Sequence, residues 1–472
     1  MADVQAQQPV GERLTNNYAP ITIKCEAEFL PVKGELPREL RGTLFRNGPN
    51  PQFPVADPRN HWFTGDGMLH AFTLAKGRAA YRNRWIRTAK WQAEHDAGRA
   101  LFAGFGGDRL PGAPAVQVKD EGVANTNVVW HAGRLLALEE AHLPIEIDPR
   151  TLATDGQRDF GALRGPFTAH PKIDPVSGEM IFFGYGASGP LSAGMTYGTM
   201  DSSGAVTRFE RFDAPYASMV HDFVVTARHV LFPILPLTAS LQRAMRGGPP
   251  FAWEPEKGAA IGVLPRGGAI GDMKWFRGDA AYVFHVMNAW EDGDKIYADV
   301  MQFEEPPLFP HADGSAPDPM KSRARLCRWT FDLTANTDRF TQDYLDELTG
   351  EFPRIDDRRA GLKHRHGWYA CAAPGRQHRD SFDAIAHVDA ESTKRNLYLL
   401  PDGDATSEPV FVPRATDAEE GDGWLLAVIW RAAERRSDLV VLEAGDVERG
   451  PIATVELSHR VPFGFHGNFV PA

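Results

Sequence analysis

The chain has 472 residues, 43% hydrophobic and 24% charged, a composition that excludes disorder, collagen and coiled coil. Its net charge of −11 is offset by no block of Lys or Arg, which argues against nucleic acid as a partner, because phosphate binding needs a concentrated positive face. No run of about 18 apolar residues occurs, so no transmembrane helix is expected.

Read in chain order, Met1–Val10 is polar and carries neither an apolar core nor a small-residue cleavage site, so no signal peptide is expected. Cys25, Cys327 and Cys371 form no CxxC pair and are too few for a disulfide framework. They read as small buried hydrophobes in a cytoplasmic protein. A short helix is expected around Lys90–Ala100. Strands follow at Gly133–Glu139, Glu179–Tyr185 and Val224–Phe232, with a turn at Asp174–Gly178 before the second of them. Short helices are expected at Ser240–Arg246 and Asp343–Leu348, and further strands at Ala281–Met287, Trp424–Trp430 and Ser437–Glu443. The strand runs are rich in β-branched and aromatic residues, which suit a pleated and mostly buried surface. With 45 Gly and 36 Pro spread along its length, the chain reads as all-β. A sandwich or simple barrel is too small for it, whereas a seven-bladed propeller would take about 67 residues per blade.

Four of the 16 histidines stand in short apolar or aromatic phrases: Phe167-Thr-Ala-His170, Ser218-Met-Val-His221, Val283-Phe-His285-Val-Met and Phe463-Gly-Phe-His466. Their separations of 51, 64 and 181 residues approximate one, one and three blades, and equivalent positions on propeller blades converge on the axis. One such histidine alone reads as a satisfied core residue; four in the same setting read as a metal site. An all-imidazole set suits zinc, copper, nickel or ferrous iron, with carboxylates behind it to fix the tautomers and offset the charge. His70, His131, His364 and His366 lie in more polar phrases and read as structural or surface residues.

Further phrases complete a pattern: Gly42-Thr-Leu-Phe-Arg-Asn-Gly-Pro-Asn50, His61-Trp-Phe-Thr-Gly-Asp-Gly-Met-Leu-His70, Asn125-Thr-Asn127, Glu351-Phe-Pro353, Glu408-Pro-Val-Phe-Val-Pro-Arg414 and Glu420-Gly-Asp-Gly423. In this order, with the histidine phrases, they resemble the carotenoid cleavage oxygenase family, which includes bacterial stilbene- and phenylpropenoid-cleaving enzymes. The resemblance covers about residue 20 to the C-terminus. It implies one propeller domain over 20–472 behind an N-terminal extension of 1–19, with short helices and loops capping one face over a central iron. It further implies one Fe(II) held by His170, His221, His285 and His466. Behind them would stand Glu140, Glu351 and Glu420, and Thr126 would crowd a vacant coordination position.

The implied reaction joins O2 to a non-polar conjugated alkene and releases two carbonyl products. Phe63, Phe105, Glu139 and Thr126 would line the pocket. Phenol-cleaving members use a Tyr and a Lys where this chain has Phe105 and Glu139, so a carboxylate here is expected to repel a phenolate and favour a neutral alkene or an apocarotenoid. Trp253-Glu-Pro-Glu-Lys257, Gly262-Val-Leu-Pro-Arg266 and Ser437-Asp-Leu-Val440 resemble the aryl-alkene branch instead. A monooxygenase of that branch is one alternative, and a metal-free binding propeller another, though it leaves the four histidines and their glutamates unexplained. Leu231-Phe-Pro-Ile-Leu-Pro-Leu237 reads as a buried strand and turn, or else as an apolar rim for weak peripheral membrane contact.

Overall fold

A computed structural model describes residues 15–55, 61–104, 108–114, 116–376, 381–392 and 394–472. The chain is mostly β, 44% strand against 7% helix. It divides into two compact units: His170–Leu399 with Asp417–Asp422, and the described part of Gln8–Ala169 with Leu400–Thr416 and Gly423–Ala472.

In the first unit, strands Lys172–Ile173, Met180–Tyr185, Gly194–Met200 and Val206–Asp213 follow one another as an antiparallel meander. The turn expected at Asp174–Gly178 closes its first hairpin. Asp174 Oδ1 accepts from Val176 and Ser177 N–H, and Gly178 takes the left-handed φ of +73° that the turn requires. A second sheet orders Val224–Val225, His229–Ile234, Ala259–Pro265 and Lys274–Gly278, so the single run expected at Val224–Phe232 is two strands folded back on each other. The turn between them is fastened locally, with Thr226 N–H donating to His229 O and His229 N–H donating to Thr226 Oγ1, each at 2.9 Å. Phe183 and Tyr197 of the first sheet pack with Phe223, Phe232 and Leu264 in a core shared by the two sheets. Leu231–Leu237 is buried throughout, which fits the strand-and-turn reading and leaves no exposed apolar rim there.

A third sheet of seven strands runs in chain order from Tyr282–Asp292 to Lys394–Leu399. The helix expected at Asp343–Leu348 lies inside it, within strand Thr341–Ile355. Asp343 faces Arg328 and Tyr344 faces Cys327 across the ladder, and the Arg325 guanidinium stacks 3.9 Å from the Tyr344 ring. Local helix propensity in this segment amounts to tenths of a kcal/mol per residue, and a complete strand ladder outweighs it.

In the second unit, the last strand, Gly467–Pro471, pairs antiparallel with Gly42–Pro49, which continues to Gly67–Ala75, Arg78–Trp85 and Glu26–Ala27. Arg134–Leu138 and Asn127–His131 belong to a four-stranded sheet, and Gly423–Arg431 and Arg436–Glu443 to a six-stranded one. Phe72, Trp424, Leu439 and Val455 share one core cluster. The helix expected from Lys90 forms as Ala89–Ala97: Thr88 Oγ1 caps it by accepting from Trp91 N–H at 3.2 Å, and Gly98 ends it at φ +65°. Among the described residues no helix is long and apolar enough to cross a membrane.

Candidate metal centre

His170, His221 and His466 stand on loops within three residues of the strands they lead into, Lys172–Ile173, Val224–Val225 and Gly467–Pro471, while His285 lies within strand Tyr282–Asp292. A strand start fixes the backbone on one side and leaves the preceding side chain free of the ladder's alternation. His285 gains a comparable freedom from irregular pairing: the register with Lys295–Phe303 shifts between Val283 and Val286. All four side chains are buried, and one potential ligand atom from each lies within 4.8 Å of the others. His170 Nε2 is 3.0 Å from His221 Nε2, which is 3.3 Å from His285 Nε2. Metal–imidazole bonds of about 2.1 Å place neighbouring ligand atoms roughly 3 Å apart and opposite ones about 4.2 Å apart, so these atoms fit around a single ion.

Carboxylates hold the far ring nitrogens. Glu351 Oε2 accepts from His285 Nδ1 and also from Phe352 N–H. Glu408 Oε1 accepts from His466 Nδ1 at 3.0 Å, and its Oε2 accepts from Gly467 N–H at 2.9 Å. With Nδ1 carrying the proton, Nε2 presents its lone pair inward, the tautomer a metal requires. A further buried carboxylate, Asp222, ties together three histidine-bearing segments. Its Oδ1 pairs with Lys172 Nζ at 2.7 Å, two residues beyond His170. Its Oδ2 accepts from Val286 N–H at 2.9 Å, next to His285. No motif reading selected Asp222; its place directly after His221 was the available signal.

The structure corrects the third glutamate. Glu420 Oε1 accepts from Arg365 and His366 N–H at 2.6 and 2.9 Å, and its Oε2 pairs with Arg359 at 3.2 Å. None of these is one of the four imidazoles. Glu408 takes the place behind His466 because it leads into strand Val410–Pro413, which packs beside Gly467–Pro471, whereas Glu420 sits in the turn before Gly423–Arg431. Glu140 is half-buried just after Arg134–Leu138. His364 is a core residue, bonded by Asn288 Nδ2 at 3.3 Å and edge-on to Trp290.

Of the expected pocket residues, Thr126 and Phe63 meet the His466 segment. Thr126 O accepts from His466 N–H at 3.1 Å, and the Phe63 ring lies edge-on to Phe465 at 5.2 Å. Asn125 Nδ2 bridges them by donating to Phe63 O at 2.6 Å. Phe105 lies outside the described residues. Glu139 is not the lone carboxylate the sequence suggested: Oε1 accepts from Val123 N–H at 2.8 Å and forms an ion pair with His142 Nδ1 at 2.8 Å. Burial alone would lower the His142 pKa, but the Glu139 carboxylate, with Asp120 nearby, raises it to about 9. His142 is thus an imidazolium at neutral pH and cancels the Glu139 charge. The stability this pair supplies is complete below the ordinary histidine value and is lost as pH rises through about 9. An NMR pH titration is expected to place His142 there, and Glu139→Gln to return it toward the ordinary value; an unmoved His142 in that variant would contradict the pairing.

An all-imidazole set leaves a divalent ion its full charge, and the buried Glu351, Glu408 and Asp222 carboxylates offset it. The donor set and its spacing therefore fit a transition metal such as ferrous iron. Residues 18–471 match the family model described as Retinal pigment epithelial membrane protein. The chain is 39% identical to isoeugenol monooxygenase of Pseudomonas putida, over 96% of this chain and 97% of that protein. The crystal structure of Pseudomonas brassicacearum lignostilbene dioxygenase is similar at a TM-score of 0.93 and 34% identity, covering 99% of both chains. Cobalt-substituted Synechocystis apocarotenoid oxygenase is similar at a TM-score of 0.87 and 30% identity, covering 98% of this chain and 99% of that one. From the four-histidine constellation and these full-length similarities, the chain belongs to the carotenoid cleavage oxygenase family, that of the retinal pigment epithelial membrane protein.

Proposed function

We propose that this chain is a non-haem Fe(II) dioxygenase that cleaves the conjugated C=C bond of an aryl alkene, a stilbene or phenylpropenoid, with O2. One alkene and one O2 give two carbonyl products, so the atoms balance without a further reductant. The observation that carries the reading is the convergence of four buried imidazoles, two of them held at Nδ1 by carboxylates. Ferrous iron bound there supplies electron density to O2, which a closed-shell zinc ion cannot do. The aryl-alkene class is supported by the likeness to the lignostilbene and isoeugenol enzymes, whose names give those substrates.

The chain's own residues have separable tasks. His170, His221, His285 and His466 hold the ion. Glu351 and Glu408 keep the Nδ1 protons in place and the Nε2 lone pairs directed inward, and Glu140 is assigned the same kind of task. Thr126, just ahead of strand Asn127–His131, accepts the His466 N–H through its carbonyl, and its methyl group would restrict one coordination position of the bound ion. Phe63 and the Glu139–His142 pair line the alkene pocket, where a neutral ion pair leaves aromatic contact as the main recognition. Residues 20–472 act as one domain, a seven-bladed propeller around the iron. Antiparallel meanders and the pairing of Gly42–Pro49 with the last strand support that arrangement.

The test is product analysis of iron-loaded enzyme with a stilbene, a propenylphenol and an apocarotenal. Aromatic aldehydes from the first two, formed well ahead of any apocarotenal product, are expected. Cleavage of the apocarotenal alone would move the substrate class, and no carbonyl product from any of them would overturn the reaction.

A further inference from the structure

Strand Thr341–Ile355 loses its regular pairing at one place beside the metal centre. Glu351 faces Ala370, the ladder resumes with Arg354 facing Trp368, and between them Phe352 and Pro353 together oppose the single Tyr369. This is a β-bulge, and Phe352 holds it at φ +56°, in the left-handed region that aromatic side chains rarely occupy. The following proline makes the conformation more unusual still, since a residue before proline favours extended backbone.

The consequence is geometric. In a regular strand Glu351 and Phe352 would point to opposite faces. Here both reach one imidazole. Glu351 Oε2 accepts from His285 Nδ1, while the Phe352 ring stacks on the same imidazole with centroids 5.3 Å apart and planes 27° apart. Phe352 N–H donates to Glu351 Oε2, and the Phe382 ring meets the Phe352 ring edge-on at 6.3 Å.

We infer that Phe352 is a positioning residue for His285: the bulge lays its ring on the imidazole and its N–H on the Glu351 carboxylate, so that one residue fixes both the ring plane and the tautomer. The inference rests on His285 being a metal ligand. A strained backbone persists only where the surroundings enforce it, and such residues gather at functional sites.

Cobalt(II) serves as the probe, through chelator-competition affinity and the visible absorption of the bound ion. Phe352→Ala, which removes the ring and keeps the left-handed backbone, is expected to weaken cobalt binding about tenfold and to alter the absorption. Phe352→Tyr, which keeps the ring, is expected to bind within about threefold of the original protein, the lower end of effects seen for such supporting residues being larger than that. Phe352→Gly is expected to share the cobalt defect of the Ala variant yet melt at a higher temperature than it, because glycine takes a positive φ without strain. A role in stability alone would move both readouts in the same direction. Phe352→Leu, which fills the space without a ring, replaces the Ala variant if that one does not fold. Native cobalt affinity and absorption in the Ala or Leu variant would overturn the inference. Absence of cobalt binding by the unaltered protein would instead overturn the metal reading beneath it.

Discussion

Replacing His221 with Ala should abolish alkene cleavage and strip the protein of iron while leaving its far-UV β signature. His221 Nε2 lies 3.0 Å from His170 Nε2 and 3.3 Å from His285 Nε2, so its loss removes a donor that two others directly adjoin. The fold should tolerate the change. Deleting one buried imidazole commonly costs about 1–3 kcal/mol against a total of about 5–15 kcal/mol. His364→Asn is the matched control: it too alters a buried histidine, one bonded to Asn288, and iron content should stay near normal. Full activity in His221→Ala, or equal iron loss in both variants, would contradict the assignment.

Glu408→Gln should weaken iron binding about 10–100-fold, whereas Glu420→Gln should leave it unchanged. Both Glu408 oxygens accept, one from His466 Nδ1 and the other from Gly467 N–H. An amide has one acceptor oxygen, so its NH2 must face one of those donors, and a buried donor left without a partner costs about 1–3 kcal/mol. At Glu420 a single oxygen takes both the Arg365 and His366 N–H, so the glutamine carbonyl can replace it. Competition with a chelator measures both variants. Equal affinities in the two would remove Glu408 from behind His466.

Much of this was legible in the chain. The strand runs at Glu179–Tyr185, Trp424–Trp430 and Ser437–Glu443 carry their β-branched and aromatic side chains into buried ladders, and the strands form there. The four histidine phrases share an apolar setting because each imidazole must be packed on its flanks to point inward, and the structure brings all four together. What eluded the sequence is decided by partners distant in the chain. Asp343–Leu348 has helix-compatible spacing, but Arg325–Asp332 pairs with it as a strand. Glu408 and Glu420 are equivalent as letters, and only the packing of Val410–Pro413 beside the last strand tells them apart. Asp222 and the bulge at Phe352 depend on register, which composition does not encode.

The central claim, an iron-dependent oxygenase site built by four histidines, is tested most directly by metal analysis of the purified protein after anaerobic exposure to ferrous iron, with cleavage of an aryl alkene measured on the same samples. One iron per chain, with activity that rises and falls with iron content and is not restored by zinc, is the predicted result. Cleavage at full rate by metal-free protein, or no iron bound by the folded chain, would contradict it.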